Sequence, residues 1–316
     1  MITTSDFESR PTPPEGGSVV SVGVFDGVHL GHRAILEANR AWARELGARS
    51  TVVTFRDHPK QTLLGYAPRT LTSLEHRLEL FARAGIEHTL VLPFNEALRR
   101  TPAEEFLQHY LVAGLDARAF ALGFDSKFGC DRRGTPALLE ELGFAVRVIG
   151  KVQVGGRGVS STAIREAVEL GDLEGARLML GRRPSVLGTV VEGQQRGRII
   201  GFPTANLDLH HEMHPPSGVW AGWARVLSGP HTGVWPAVAN IGVRPTVDET
   251  PREPLLEAHL LDFEGDLYGT RIEFLFAARL RGEQRFDGLE ALGRQIALDV
   301  EGARRALDDL EAPAPR

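Results

Sequence analysis

"GVFDGVHLGHRAIL", Gly23 to Leu36, decides how the N-terminal half is read. It follows the β-branched run "SVVSV" that starts at Ser18 and passes into residues of helical apolar spacing, so it forms the turn between a strand and a helix. Gly23, Gly27 and Gly31 stand there together with His29 and His32. An i, i+3 spacing puts both imidazoles on one face of the first helical turn, and Gly31 between them lets a phosphate approach the backbone. In open α/β sheets ligands collect beyond the carboxyl ends of strands, where a helix N-terminus offers free N–H groups and partial positive charge. Together these features describe a cradle for the charge that develops when pyrophosphate leaves a nucleoside triphosphate. A plain Asp-Gly turn with capping histidines is the alternative, and strand, turn, H-x-G-H and helix in series argue against it.

Outward from this turn, strand-like and helix-like stretches alternate as far as Gly150: "STVVTF", a helix from Thr72, "HTLVLPF", a helix from Thr101, "RAFALGF", a helix from Thr135, then "AVRVIG". Such alternation implies βαβ units and a parallel sheet. Thr101-Pro102 with Glu104, and Thr72 with Glu75, have the spacing of capping boxes. Two short helices, "STAIREAVELG" and "DLEGARLMLG", lead to Gly181. Beyond "GRRPS" the texture changes to short strand-like runs such as "SVLGTVVEG", "GVWAGWARVL" and "RIEFLFAARL", separated by Gly, Pro and Asp turns, which predicts an antiparallel β-barrel. Helical spacing in "GLEALGRQIALDVEGARRAL" predicts a C-terminal helix packed on that barrel. The expected organisation is a disordered lead over 1–17, an α/β domain with a Rossmann-like parallel sheet over 18–183, and a barrel domain over 184–316.

At 316 residues the chain is long enough for two cores, and 42% hydrophobic with 24% charged residues is the balance of an ordinary soluble globular protein. No run reaches the ~20 apolar residues of a membrane span, so no membrane partner is expected. The net charge is −5, without a basic cluster interleaved with aromatics, which excludes nucleic acid as the expected partner. The single cysteine, Cys130, allows neither an intrachain disulfide nor a cysteine-based zinc cage. With an opening that lacks a secretory signal, it predicts a cytoplasmic protein.

Two more stretches carry chemistry. In "GGRGVSST" the hydroxyls of Ser160, Ser161 and Thr162 open a helix that also carries Arg165, and hydroxyl, N–H and guanidinium can meet a phosphate there. An ordinary Ser/Thr N-cap explains the same residues. In "GQQRGRIIGFPTANL" glycines recur at 193, 197 and 201, the pattern of a flap whose backbone approaches a ligand, or of a loose hairpin. Thr204 and Asn206 then offer a hydroxyl and an amide oxygen two residues apart, both hard donors acceptable to Mg²⁺. Phosphoryl transfer also needs a group to orient or deprotonate the attacking hydroxyl. Glu257 in "LLEAHLLDF" alternates with apolar neighbours and shares a face with His259; an outward-facing Glu on an edge strand is the plainer reading.

H-x-G-H together with "SSTAIR" looks like the nucleotidyltransferase superfamily. "GVFDGVHLGH", "SSTAIR", "GRIIGFPTANL", "VANIGVRPT" and "LLEAHLLDFEGDLYG" occur in the order found in bacterial bifunctional riboflavin kinase/FMN adenylyltransferases, or FAD synthetases, and the chain resembles that family along nearly its whole length. The resemblance implies an FMN adenylyltransferase domain over 18–183 and a riboflavin kinase domain over 184–316, with riboflavin, FMN and ATP as partners, ATP as co-substrate and Mg²⁺ as cofactor. By it, His29, His32 and Arg165 are catalytic in adenylyl transfer. Gly23, Phe25, Asp26, Gly31, Ser161 and Thr162 bind the nucleotide there, as Gly193, Gly201 and Pro203 do in the barrel. Glu257 is the base of the kinase, Thr204 and Asn206 hold the metal, and His58, Asp125, Phe128, Gly129, Arg281 and Glu283 contact flavin. Unaided by the resemblance, His58 is equally a turn residue before Pro59, and Arg281 with Glu283 a solvated charge run. Ser126 stands where the family usually has an aromatic residue, Asp57 where it has a proline, and "LGRRPSVLG" where L-G-R-P-Y is common. An adenylyltransferase whose barrel only binds flavin as a regulatory module is the alternative, against which Thr204, Asn206 and Glu257 speak. Self-association stays open.

Overall fold

Val19 and Val20 are fully buried, and the whole run Ser18–Val22 is shielded from solvent, the condition of a strand covered on both faces in a parallel sheet. A computed structural model describes every residue except 6, 14, 67, 194–196, 198–199, 243–254 and 315–316. It divides the chain into two units, Met1–Thr70 with Leu74–Ser161, and Leu71–Ser73 with Thr162–Arg316.

In the first unit six strands, β1 (Ile2–Thr4), β2 (Ser18–Val22), β3 (Arg49–Phe55), β4 (His88–Leu92), β5 (Ala117–Gly123) and β6 (Ala145–Ile149), form one sheet of order β1-β4-β3-β2-β5-β6. Every pairing is parallel, as the alternation of elements predicts. From β2 the chain winds outward through β3 to β4 and then crosses to β5 and β6 on the other side, so the winding reverses between β2 and β5. Helix α1 (Leu30–Leu46) starts at that reversal and ends on Gly47, whose φ of 61° only glycine adopts freely. Asn39 sets its height over the sheet. Its buried amide donates to the carbonyls of Val19 and Thr51 and to Ser21 Oγ, at 3.0, 3.2 and 2.9 Å.

Two expectations are corrected in this unit. The lead over 1–17 is not wholly unstructured: Ile2–Thr4 pairs with β4, and Arg10 Nε donates to the Gly114 carbonyl at 2.7 Å. Without that pairing β4 would be a bare edge of unsatisfied N–H and C=O groups, and three residues are too few to show a period in sequence. Nor does Thr101 form an N-terminal capping box: it is instead the C-cap of the helix Glu96–Arg100. Its hydroxyl donates back to Ala97 at 3.0 Å, and the next helix begins at Ala103 behind Pro102, with no side-chain cap.

In the second unit six strands, β9 (Ser185–Val191), β10 (Ala205–Asp208), β11 (Gly218–Val226), β12 (Gly233–Gly242), β13 (Leu255–Leu260) and β14 (Arg271–Arg281), close into an antiparallel barrel of order β10-β13-β12-β11-β14-β9. The labels β7 and β8 belong to a two-stranded ribbon, Gln153–Val154 with Arg157–Gly158. Alternate residues such as Leu207, Ile241, Leu256 and Phe274 fill the barrel. The opposite faces of β11, β12 and β14 pack Val219, Trp223, Val238 and Leu275 against Ala303 and Leu307 of the C-terminal helix, Leu289–Asp308. Two helices, α7 (Ser161–Glu169) and α8 (Leu173–Leu180), precede the barrel, and apart from Ser161 they group with it.

The β1–β4 edge generates a pH prediction. His88 on β4 is buried with Nε2 3.1 Å from Thr4 Oγ1, and burial, aided by the charge of Arg49, pushes its pKa down from 6.5 to about 4. The folded chain keeps this imidazole neutral while the unfolded chain protonates it, so its stabilising contribution is intact above pH 6.5 and is lost as pH falls toward about 4. Denaturant titrations across that window should therefore show stability rising with pH, and His88→Gln should flatten the rise.

Candidate active sites

The loop between β2 and α1 is strained backbone held from several sides. Phe25 and Val28, both bulky, have φ of 54° and 39°, and Gly27 has φ of 80°. A non-glycine residue in that region costs on the order of 1–3 kcal/mol and persists only where its surroundings over-determine it. Here Val28 N donates to the Phe25 carbonyl at 3.0 Å, Gly23 N to Val53 of β3 at 3.0 Å, and Ser161 Oγ to Asp26 at 3.0 Å. The Phe25 ring packs edge-on against His32 at 5.2 Å and Phe81 at 5.6 Å. His29 is the N-cap of α1, its Nδ1 accepting from His32 N at 3.3 Å. The two imidazoles stack with centroids 3.6 Å apart at 16°. Gly31 is required by that stack, because a Cβ there would stand 3.2 Å from His29 Cε1.

The expected residues Gly23, Phe25, Asp26, His29, Gly31, His32 and Ser161 are thus brought together at the winding reversal. Thr162 and Arg165 follow on α7. His58, at the end of β3, caps the short helix Pro59–Leu64 by accepting from Lys60 N at 3.2 Å, the turn role that the alternative assigned to it. Asp125 is exposed after β5. Phe128 instead turns inward: it is buried, its ring lies 5.6 Å from Phe106, and its backbone exchanges two 2.9 Å hydrogen bonds with Gly134. Gly129 adopts φ of 71° with its Cα against Ala103, where a side chain has no room. The Phe128 ring is therefore not presented at the surface of this loop.

In the barrel, register assembles a second group. Asn206 of β10 is paired with Glu257 of β13, and Glu257 with Asn240 of β12. Residues directly opposite share a face, and since Leu256, Ala258 and Leu260 point into the barrel, Asn206, Glu257 and Asn240 form a polar row on the other side. The edge-strand reading of Glu257 is overturned, because β13 is paired on both sides in a closed barrel. Gly193 presses its Cα on the Asn206 amide, leaving no space for a Cβ. Gly242 is likewise covered by the Glu283 carboxylate, beside the Asn240 amide. Arg281 is engaged elsewhere: its fork binds Asp299 of the C-terminal helix through 2.8 and 2.9 Å contacts, and Gln295 supports the same carboxylate at 3.0 Å.

A cavity of about 410 Å³ opens on the opposite face, that of Ala205, Ala258 and Leu260, and is lined also by Val190, Pro203, Thr204, Phe263 and Tyr268. His259 Nδ1 stands 2.8 Å from the Pro203 carbonyl, fixing the approach of the P-T-A-N segment to β13. Gly201, at φ of 85°, makes the preceding turn, and Phe202 N donates to Gly197 at 2.8 Å. Gln194–Arg196, Arg198–Ile199 and the "VRPT" of "VANIGVRPT" lie outside the described residues. Asn240 escaped sequence reasoning, since only the strand register sets it across from Glu257. Among the described residues no group of three His, Cys, Asp or Glu side chains is placed to hold a metal ion.

Comparison with known proteins agrees with this division. Residues 12–163 match the FAD synthetase family and residues 180–307 the riboflavin kinase family. The chain is 40% identical over 297 residues to the bifunctional riboflavin kinase/FMN adenylyltransferase of Pseudomonas fluorescens, covering 92% of this chain and 94% of that one. It is 36% identical to the namesake in Haemophilus influenzae, covering 91% and 94%. A crystal structure described as a macrolide-efflux protein from Streptococcus pneumoniae superposes with a TM-score of 0.79 at 30% identity, over 96% of this chain and 98% of that one. Among the described residues no helix is long and apolar enough to cross a membrane, and that description stays with that protein. The chain belongs to the bifunctional riboflavin kinase/FMN adenylyltransferase family.

The imidazole stack yields a test. Gly31→Ala places a Cβ 3.2 Å from His29 Cε1, so the ring must yield by a few tenths of an ångström, and adenylyl transfer should fall, by about tenfold. Measured with FMN and ATP, the loss should appear in FAD formation, with riboflavin phosphorylation unchanged.

Proposed function

We propose that this chain makes FAD from riboflavin in two ATP-dependent steps, one in each unit. In the barrel, the Glu257 carboxylate takes the proton of the terminal ribityl hydroxyl as that oxygen attacks the γ-phosphorus of ATP, giving FMN and ADP. The cavity beside Pro203 and Thr204 has the size and apolar lining suited to the nucleotide. Glu283, close to Asn240, is then turned toward the flavin side of the row, while Arg281 braces the C-terminal helix behind it. At the β2–α1 turn a phosphate oxygen of FMN attacks the α-phosphorus of ATP and pyrophosphate leaves. No proton needs to move in that step, so the task of His29 and His32 is to donate to the phosphates as charge shifts onto the leaving group. Ser161, whose hydroxyl already reaches Asp26 of this turn, is the residue of the "SSTAIR" segment placed to meet the triphosphate; Thr162 and Arg165 follow it in sequence and take the same task by the family resemblance.

The observation that carries the kinase half, and speaks against a barrel that only binds flavin, is the register that puts Glu257 between Asn206 and Asn240. Mg²⁺ fits the donors present: the Thr204 hydroxyl and the Asn206 amide oxygen are hard ligands, with nucleotide phosphates completing the set. When bound it neutralises charge on those phosphates. The single cysteine and freely diffusing substrates accord with the cytoplasm.

The test is incubation with Mg-ATP and either riboflavin or FMN, followed by chromatography of the flavins. FAD should form from both, with FMN as intermediate from riboflavin; riboflavin left unchanged would reduce the barrel to a binding module. His32→Ala should abolish FAD formation and spare FMN formation. Glu257→Gln should do the reverse, lowering phosphorylation by about 10²-fold or more. Asn206→Ala should raise the Mg²⁺ concentration that the kinase step alone requires.

A further inference from the structure

Helix α3 (Leu74–Arg83) carries a buried arginine. Arg77 is only 4% exposed. Its guanidinium donates to the Val24 carbonyl at 2.6 Å, to Thr54 Oγ1 at 3.2 Å and to the Phe55 carbonyl at 3.0 Å. Thr54 Oγ1 itself donates to Val24 at 3.3 Å. Burying a guanidinium carries a desolvation cost that its hydrogen bonds must offset, so this position demands what an apolar side chain cannot supply. What it supplies is a fork across two strand ends. Val24 follows β2 and Phe55 ends β3, both on the side of the sheet where α1 begins.

The residues next to these acceptors are those of the site. Val24 precedes Phe25, the first left-handed residue of the turn, and Phe55 opens the segment that carries His58. One helical turn beyond Arg77, Phe81 packs edge-on against Phe25 at 5.6 Å, and Phe25 packs against His32 at 5.2 Å. One face of α3 therefore grips both the carbonyl of residue 24 and the ring of residue 25.

We infer that Arg77 is a positioning residue for adenylyl transfer: by clamping the ends of β2 and β3 it holds Phe25 in its strained conformation and, through Phe25, fixes His32 in its stack with His29. This rests on the adenylyl-transfer site proposed above. Lysine, a point donor on a flexible stem, cannot span Val24 and Phe55 as a planar fork does, and methionine leaves both carbonyls without this donor.

The experiment compares Arg77→Met, Arg77→Lys and His32→Ala with the parent chain, measuring kcat and KM for FAD formation and riboflavin phosphorylation on the same preparations. Misplacement of catalytic groups by a fraction of an ångström predicts that Arg77→Met lowers kcat for FAD formation about 30-fold. KM for FMN and ATP should stay within about threefold and phosphorylation unchanged, with Arg77→Lys falling between Met and the parent. The Cε1–H resonances of His29 and His32 should shift in Arg77→Met. An Arg77→Met chain with intact phosphorylation and parental kcat for FAD, or with a raised KM alone, overturns the inference. Should Arg77→Met lose both activities through misfolding, Arg77→Lys decides: a reduced kcat for FAD alone supports the role, and parental kcat refutes it. If His32→Ala still makes FAD, the site assignment itself fails and the inference falls with it; loss of FAD in His32→Ala with parental Arg77 variants rejects the inference alone.

Discussion

The pairing of β2 between β3 and β5 is the constraint on which the first unit depends. A strand flanked by parallel partners must send its chain out at the carboxyl edge, and because the winding reverses there, no crossover helix covers that exit. The turn from Gly23 to His29 has to pass through this gap and reach the start of α1 within a few residues. It does so by placing Phe25, Gly27 and Val28 in the left-handed region. Asn39 beneath α1, Ser161 on Asp26 and Arg77 on Val24 hold that conformation, and the stacked histidines are its result.

The barrel assembles its polar group by a different route. Where the α/β unit stacks two imidazoles at a helix N-terminus, the barrel uses register. Closure makes β13 an interior strand with partners on both sides, so the residue opposite Glu257 is specified twice, by Asn206 and by Asn240. A shift of one residue in either pairing would turn Glu257 toward Leu207 and Phe274 in the core, where an ionised carboxylate has no solvent. The hydrophobic filling of the barrel thereby fixes the polar row outside it, and the Arg281–Asp299 pair holds the C-terminal helix against β14 next to that row.

Both units also hold glycines where a side chain would collide with a working group: Gly31 against His29, Gly193 against Asn206 and Gly242 against Glu283. These positions connect the backbone to the chemistry more directly than do the flap-like spacings at 197 and 201. In sequence Gly193 is marked by the glycine series and by the nucleotide-binding role that the resemblance implies, and its contact with Asn206 arises from tertiary packing.

By itself, the sequence determined the alternation that makes a parallel sheet, the barrel runs, the C-terminal helix, the H-x-G-H turn, and the P-T-A-N and Glu257 positions, because each leaves a local mark of period, turn chemistry or motif spacing. Tertiary structure alone decided that Ile2–Thr4 completes the sheet edge, that Phe128 points inward, that Arg281 serves Asp299, that Asn240 faces Glu257, and that Arg77 is buried on Val24 and Phe55. The physical reason is common to all five. Each depends on which distant backbone or side chain arrives opposite, and a polar residue carries the same letter whether it faces water, a carbonyl 53 residues away or a carboxylate on another helix.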